Sequence, residues 1–363
     1  MAAQMKPRFE GWSSPGRGQV GARLRGRRVL VTGAGGSIGA ALCDAIGQAS
    51  PASLMLLDAS EYALYEIDRR LRSPHVSVLG SVGDAGLLGE AFELHRPQVV
   101  FHAAAFKQVP LLEHQPFAAI ANNVLGTYEL LQAAMRHGVE EFVLVSTDKA
   151  VDPASIMGAS KRIAELLVMA WVESGTRMSA VRLGNVWGSH GSVVELFREQ
   201  IAGGGPVTIT HAEARRFFMS MEDAVGAILS ALEPRTHGTI LVPELGEPVR
   251  ILDVARRLMD EHGSSAAIAF TGLRPGDKLV EAIVSDREAW MDAADGLALR
   301  AIASPGLSER AMTAAVEAMR QAVERRDLEG LVGAVGGVVS EYTPSAVLRG
   351  ALRQANAGQE AHA

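Results

Sequence analysis

Apolar residues in this chain fall into short, nearly continuous runs separated by longer stretches of mixed polarity. The runs cover 28–32, 54–57, 76–79, 99–101, 142–145 and 180–183, and each is rich in β-branched residues or leucine. Continuous rather than alternating apolarity predicts strands covered on both faces, as in a parallel sheet. Between them, stretches such as 116–137 and 157–174 carry helical patterning over the length of a crossover. Strand and helix alternating on this scale predict an α/β fold with a doubly wound parallel sheet and right-handed crossovers. After Asn185 the alternation loosens, and Gly203-Gly-Gly-Pro206 and Pro243 interrupt it. A smaller C-terminal subdomain laid over the sheet is therefore expected. The expected segments are an N-terminal arm (1–27), a sheet domain (28–184), a second lobe (185–345) and a tail (346–363). Part of 217–245 is expected to return from the second lobe to the sheet.

Composition narrows the function classes. The 363 residues allow one or two domains, and 48% apolar with 21% charged residues excludes global disorder. Lys and Arg number 35 against 41 Asp and Glu, a net charge of −6 that argues against bulk binding of nucleic acid or of an anionic membrane. Cys43 stands alone, so no intrachain disulfide or cysteine metal cage can form, no metal is expected, and the reducing cytoplasm is the expected compartment. No run approaches the ~20 apolar residues of a membrane span, and the stretch 331–339 is too short. The arginine-rich arm is not followed by the apolar block of a signal peptide.

The first strand leads into Thr32-Gly-Ala-Gly-Gly-Ser-Ile-Gly39, where Gly33, Gly36 and Gly39 have a G-x-x-G-x-x-G spacing. In a Rossmann-like loop the first glycine permits the tight turn, and the second lets the backbone approach a pyrophosphate. The third lets the helix pack closely on the sheet, with its N-terminus facing the anion. A glycine run alone is equally a generic turn, but here a strand precedes it, a helix follows it, and Asp58 ends the second strand. A carboxylate there accepts hydrogen bonds from adenosine ribose hydroxyls and repels a 2′-phosphate; read alone, it would also suit a strand-end turn. Ala59, Ser60 and Glu61 follow, with no arginine to receive that phosphate, so NAD rather than NADP is expected.

The fifth strand ends in Ser146-Thr-Asp-Lys149, at the carboxyl edge where open parallel sheets place their ligands. Lys161 lies twelve residues past Lys149, within Met157-Gly-Ala-Ser-Lys161 at the start of the next helix. This frame resembles the Y-x-x-x-K motif of short-chain dehydrogenases, with methionine at the tyrosine position. There the lysine holds the nicotinamide ribose and the tyrosine is the base. A thioether has no ionisable proton, so either the site is inactive or Thr147, Asp148 or Lys149 supplies the base.

The ordered set of motifs is similar to the polysaccharide-biosynthesis branch of the extended short-chain dehydrogenases, typified by UDP-N-acetylglucosamine 4,6-dehydratases. It comprises 29–39, 57–68, His102-Ala-Ala-Ala-Phe-Lys-Gln-Val-Pro-Leu111, Ser146-Thr-Asp-Lys-Ala150 with Met157-Gly-Ala-Ser-Lys161, and Arg182-Leu-Gly-Asn-Val186. Arg216-Phe-Phe-Met219, Gly272-Leu-Arg-Pro-Gly-Asp-Lys278 and Glu341-Tyr-Thr-Pro-Ser345 complete it, so the resemblance covers about residues 26–345. Methionine for tyrosine resembles the larger, membrane-anchored dehydratases, whose transmembrane domain is not matched here.

The resemblance implies an NAD-binding Rossmann domain followed by a substrate-binding subdomain. It implies cofactor contacts from Gly33, Gly36, Ser37, Ile38, Gly39, Asp58, Ser60, Ser81, Val82, Ala103, Ala104 and Lys161, with Ser81 standing where relatives place an aspartate. It further implies Lys149 as base for the sugar C5 proton, Asp148 as acid for the C6 hydroxyl, and Thr147 at the C4 hydroxyl, with Met157 no obstacle. A nucleotide-sugar diphosphate calls for cations, and Arg216 and Arg274 are the candidates, each otherwise a solvated surface arginine. Lys107 and Asn185 match substrate-contact positions of the family, whereas His102 reads as a packed strand-end residue. The expected activity is NAD-dependent dehydration of a UDP-sugar by a cytoplasmic homodimer. A 4-epimerase and a non-catalytic nucleotide-sugar-binding protein remain as alternatives.

Overall fold

A computed structural model describes residues 17–233, 236–291 and 299–360. Helix α1 (Arg17–Leu24) lies within the expected arm, whose residues 1–16 fall outside the described residues. The sheet domain then runs β1 (Arg28–Thr32), α2 (Ser37–Gln48), β2 (Ser53–Asp58), α3 (Glu61–Arg70), β3 (Val76–Leu79), α4 (Ala85–His95) and β4 (Val99–His102). Short helices α5 (Val109–Glu113) and α6 (Pro116–Ile120) pass through a π-type turn (Ala121–Leu125) into α7 (Gly126–Arg136). Strand β5 (Glu141–Thr147), helix α8 (Ile156–Ala170) and strand β6 (Arg177–Leu183) complete the wound core.

The second lobe opens with β7 (Asn185–Val186), α9 (Val193–Ala202), β8 (Val207–Ile209), β9 (Arg215–Arg216) and β10 (Phe218–Met219). It continues through α10 (Met221–Ser230), β11 (Thr239–Pro243), β12 (Val249–Arg250), α11 (Ile251–Glu261) and β13 (Ile268–Phe270). The chain ends in β14 (Ala289–Trp290), β15 (Leu299–Ala303), α12 (Glu309–Arg325), α13 (Leu328–Val338) and α14 (Ala346–Glu360).

The main sheet has the order β14-β15-β11-β6-β5-β4-β1-β2-β3, parallel from β3 to β11 and antiparallel beyond. The order reverses between β1 and β4, which opens a crevice at their carboxyl ends. Side chains of the continuous apolar runs alternate between two cores. Leu30, Phe142 and Leu144 pack on one face, with Val29, Val31, Val143 and Val145 on the other. Strand β3 departs from that expectation: it is the sheet edge, and most of it is exposed. Side-chain caps start the helices where the sequence offers them, Ser60 before α3, Asp84 before α4 and Ser155 before α8.

Several expected boundaries change. Pro243 is the last residue of a sheet strand rather than an interruption, since β11 pairs with β6 and needs no donor from its end. Residues 299–303 and 309–338 also belong with the sheet: β15 joins its edge, and Met312, Val316, Leu331 and Val335 bury against the α7–α8 face. The second lobe is therefore shorter than 185–345, and its own small core is built on Phe197, Ile209, Phe218 and Leu258. The expected tail carries a helix, α14. Among the described residues no helix is long and apolar enough to cross a membrane.

Candidate active site

The crevice begins at the glycine loop. Gly33 has φ +66°, and a Cβ on it would lie 2.7 Å from the Ala104 backbone. Gly39 packs so tightly on the Gly33 carbonyl that no side chain fits. Gly35, which the motif spacing passes over, is equally constrained: its Cβ would meet the Ala63 backbone at 2.5 Å. Gly36 N-caps α2 without a side-chain acceptor, so Ser37 and Ile38 open a helix whose first N–H groups suit an anion. Asp58 accepts from the Gly35 and Ser60 N–H groups at 2.9 Å each, which fixes the carboxylate at the strand end. Its oxygens keep lone pairs for ribose hydroxyls. Ser81 is exposed and accepts from Gly83 N–H at 3.1 Å, while Val82 is buried against Gly126. Ala103 lines the crevice, and Ala104 N–H donates to Thr32 Oγ1 at 3.4 Å. A cradle without room for side chains, an open helix N-terminus and a strand-end carboxylate together fit a dinucleotide.

His102 is a packing residue, as its position suggested. Thr127 Oγ1 donates to the Asn123 carbonyl, so it accepts from His102 Nε2 at 2.8 Å, leaving Nδ1 to accept from Thr32 Oγ1 at 2.7 Å. Burial, helped by the Lys161 charge, pushes its pKa down to about 3, so the ring stays neutral.

At the end of β5, Thr147 Oγ1 donates to Asp148 Oδ1 at 2.9 Å, and Lys149 Nζ donates to the same oxygen at 2.9 Å. Lys149 Nζ also donates to Asn185 Oδ1 at 2.9 Å. Thr147 and Lys149 line the cleft, whereas Asp148 is 0% exposed behind them, with Oδ2 unpartnered among the described residues. The expected acid and base thus form an ion pair, with the acid one hydroxyl removed from the cleft wall. Met157, 3% exposed, and Lys161 line the same wall from α8. Lys161 Nζ donates to the Val145 carbonyl at 2.7 Å, and burial, opposed by Glu165, lowers its pKa to about 8.

The opposite wall comes from the second lobe, and the cleft between them has a volume of ≈ 990 Å³. The loop after β7 crosses it: His190 N–H donates to Ser37 Oγ at 2.9 Å, and Lys107 Nζ donates to the His190 carbonyl at 2.6 Å. Lys107 therefore holds this loop, and burial lowers its pKa below the usual lysine range. Arg216, a candidate for phosphate binding, lines the cleft. Its guanidinium donates to the carbonyls of Arg215, Lys278 and Leu279 at 2.7–3.2 Å and faces Glu281, bracing the 278–281 segment. Arg274 is half exposed at the rim, paired with Asp277 at 2.9 Å. Asn185, expected at a substrate-contact position, lines the cleft and meets Lys149 there.

Motif reading missed the support beneath this site. Arg182, fully buried, binds both oxygens of Glu165 at 2.8 Å and both of Glu288 at 2.7 Å. Arg162 joins the same carboxylates, and Ser146 Oγ donates to Glu165 at 2.7 Å. Against the cost of burial, Arg182 and Arg162 hold the Glu165 carboxyl down at about 2. Asn123, in the π-type turn, clamps both backbone groups of Phe106 and donates to Ser160 Oγ at 2.9 Å. A charged residue inside an apolar run, Arg182, was the available signal.

Residues 29–299 match the family model described as polysaccharide biosynthesis protein. The capsular polysaccharide biosynthesis protein CapD of Staphylococcus aureus is 40% identical over 280 residues, 74% of this chain and 47% of CapD. The chain thus spans about half the length of that relative. A UDP-glucose 4-epimerase of Rickettsia canadensis is 36% identical over 72% of this chain and 79% of its own. Among solved structures, Pen from Bacillus thuringiensis superimposes with a TM-score of 0.72 at 26% identity, covering 78% of this chain and 89% of Pen. DesIV from Streptomyces venezuelae, a dTDP-glucose 4,6-dehydratase solved with NAD bound, shares the fold with a TM-score of 0.64 at 24% identity, covering 70% and 88%. Fold, cradle and matched span lead to one conclusion: the chain belongs to the polysaccharide biosynthesis protein family and is similar to UDP-glucose 4-epimerases.

Proposed function

We propose that the chain binds NAD and a UDP-sugar in this cleft and is a nucleotide-sugar 4,6-dehydratase, with UDP-N-acetylglucosamine as the sugar nucleotide. The observation that carries the reading is Thr147 and Lys149 on the cleft wall, both bonded to Asp148 behind them, beside a methionine that cannot act as a base. The glycine cradle and Asp58 would hold the cofactor, with Lys161 at its ribose. When bound, NAD supplies a hydride acceptor for sugar C4 and returns the hydride to C6. The remaining work falls to protons. The ion pair becomes the required acid and base when one proton crosses from Lys149 Nζ to Asp148 Oδ1, a change without net charge that a dry, substrate-filled cleft favours. The neutral Lys149 amine then takes the C5 proton as the C6–O bond breaks. The Asp148 proton, passed through the Thr147 hydroxyl, leaves with the C6 oxygen as water. The C4 hydroxyl proton passes to solvent on oxidation, and Lys149 returns its proton to C5 as the hydride reaches C6. One proton taken up from solvent restores the ion pair.

The Rickettsia relative favours a second reading, C4 epimerisation, which needs no C5 base. Incubation with UDP-N-acetylglucosamine and NAD, followed by NMR, separates a 4-keto-6-deoxy product from a C4 epimer or unchanged substrate. Lys149→Met is expected to cut dehydration by about 10²–10⁴-fold and to stop solvent deuterium entering C5. Met157→Ala should change the rate modestly. Near-normal turnover in Lys149→Met, or loss of activity only in Met157→Ala, would overturn these roles.

A further inference from the structure

We infer that Asn185 is a positioning residue for the Lys149 amine, a role distinct from contact with a nucleotide-sugar diphosphate. The inference rests on the dehydratase reading for its purpose, though not for its geometry. A lysine only donates, so an amide that serves it must present oxygen, and Asn185 Oδ1 does so at 2.9 Å. The backbone leaves Asn185 little freedom. Its N–H donates to the Phe217 carbonyl at 2.8 Å, and β7 pairs with β10 at Phe218. Gly184, just before it, runs so close to this segment that a Cβ would lie 3.0 Å from the Phe217 carbonyl oxygen. Asn185 thus stands on a stiff crossing from β6 to the second lobe, and β6 is registered on β5 up to Thr147–Leu183.

Lys149 Nζ is held by two acceptors of different charge, Asp148 Oδ1 and Asn185 Oδ1. The carboxylate favours the ammonium. The neutral amide oxygen accepts from the ammonium and also from the free amine, so it keeps the nitrogen in place after the proton has left. A carboxylate at position 185 would instead lock the proton on. The other charged groups around Lys149 are Lys107 from the loop after β4 and Lys161 from α8, with Arg216, Arg274 and Asp277 lining the cleft from the second lobe. None of these supplies a third hydrogen-bond acceptor to Nζ among the described residues.

The test is pH-dependent acetylation of Lys149 by acetic anhydride on the full chain, quantified by mass spectrometry, which needs neither substrate nor turnover. Asn185→Asp, nearly isosteric, is expected to slow Lys149 acetylation about tenfold at pH 8, because the added negative charge favours the unreactive ammonium. Asn185→Ala is expected to speed it roughly threefold, by releasing the amine, while UDP affinity by calorimetry stays within about twofold. Where turnover is measured, the acid limb of the Asn185→Asp rate profile should move to higher pH with KM unchanged. Equal acetylation in all three proteins overturns the inference. So does a UDP affinity about tenfold weaker in Asn185→Ala with acetylation unchanged, which would return Asn185 to the diphosphate. If acetylation responds as described but wild type gives no 4-keto product, the dehydratase reading fails and the positioning of Lys149 stands.

Discussion

Lys161→Met should stabilise the cofactor-free protein at neutral pH. The wild-type lysine is 6% exposed and, among the described residues, its ammonium has one hydrogen bond, to the Val145 carbonyl at 2.7 Å. Burial takes its pKa from 10.5 to about 8, a displacement of roughly 3 kcal/mol against the charged form. Methionine has a similar length and no charge to bury, and the lost hydrogen bond returns about 1 kcal/mol of the gain. The net expectation is about 2 kcal/mol in favour of the variant at pH 7. The pH dependence gives the sign. The folded lysine releases its proton near pH 8 and the unfolded one only near 10.5. Wild-type stability from this group is therefore whole above pH 10.5 and lost as pH falls to about 8. Urea unfolding of both proteins from pH 7 to 10.5 should show the gap closing as pH rises. A variant less stable at pH 7, or a gap constant across the range, would refute the reasoning. The same variant should bind NAD more weakly, since the expected contact with the ribose is gone.

Other expectations concern single groups. His102, held near 3, should show no NMR titration between pH 5 and 8; its stabilisation is whole above pH 6.5 and lost as pH falls towards 3, so a midpoint near 6.5 would contradict the packing. Asp58→Ala should narrow a preference for NAD over NADP worth a few kcal/mol, read by calorimetry; equal affinities in the wild type would remove Asp58 from the argument. Arg216→Ala should destabilise by about 2–4 kcal/mol in urea melts, because Glu281 loses a buried partner. Arg274→Ala, half exposed, should cost under about 0.5 kcal/mol of stability yet weaken UDP binding, and an unchanged UDP affinity would leave it a rim residue.

The sequence was most legible where one local rule decides the outcome. Continuous apolar runs became strands because both faces of a parallel sheet are covered, and Gly33 and Gly39 stand where backbone meets backbone. Gly35 escaped notice because its constraint comes from α3, a different element. Strands β14 and β15 were not legible: they are antiparallel and added at the edge by residues far along the chain. At the site, residue types were readable and partners were not. Lys149 and Asp148 were found by their position after β5, but their mutual ion pair, and the pairing of Lys149 with Asn185, depend on where two separate strands end. The cleft position of Arg216 was readable, but its bonds to the carbonyls of 278 and 279 were not, because those lie more than sixty residues later.

The double clamp on Arg182 has a consequence for how the chain is made. Glu165 precedes this arginine by 17 residues, but Glu288 follows it by 106. At ribosomal speeds of ~5–20 residues per second, the second carboxylate is synthesised roughly 5–20 s after the strand that needs it. During that interval the guanidinium near the end of β6 has only one of its two counter-charges, β11 is made partway through it, and β15 follows only after it. The nascent sheet must wait half-neutralised, with a polar group where its neighbours are apolar. That wait disfavours premature closure around β6 and leaves the strand available until its last partner has been translated.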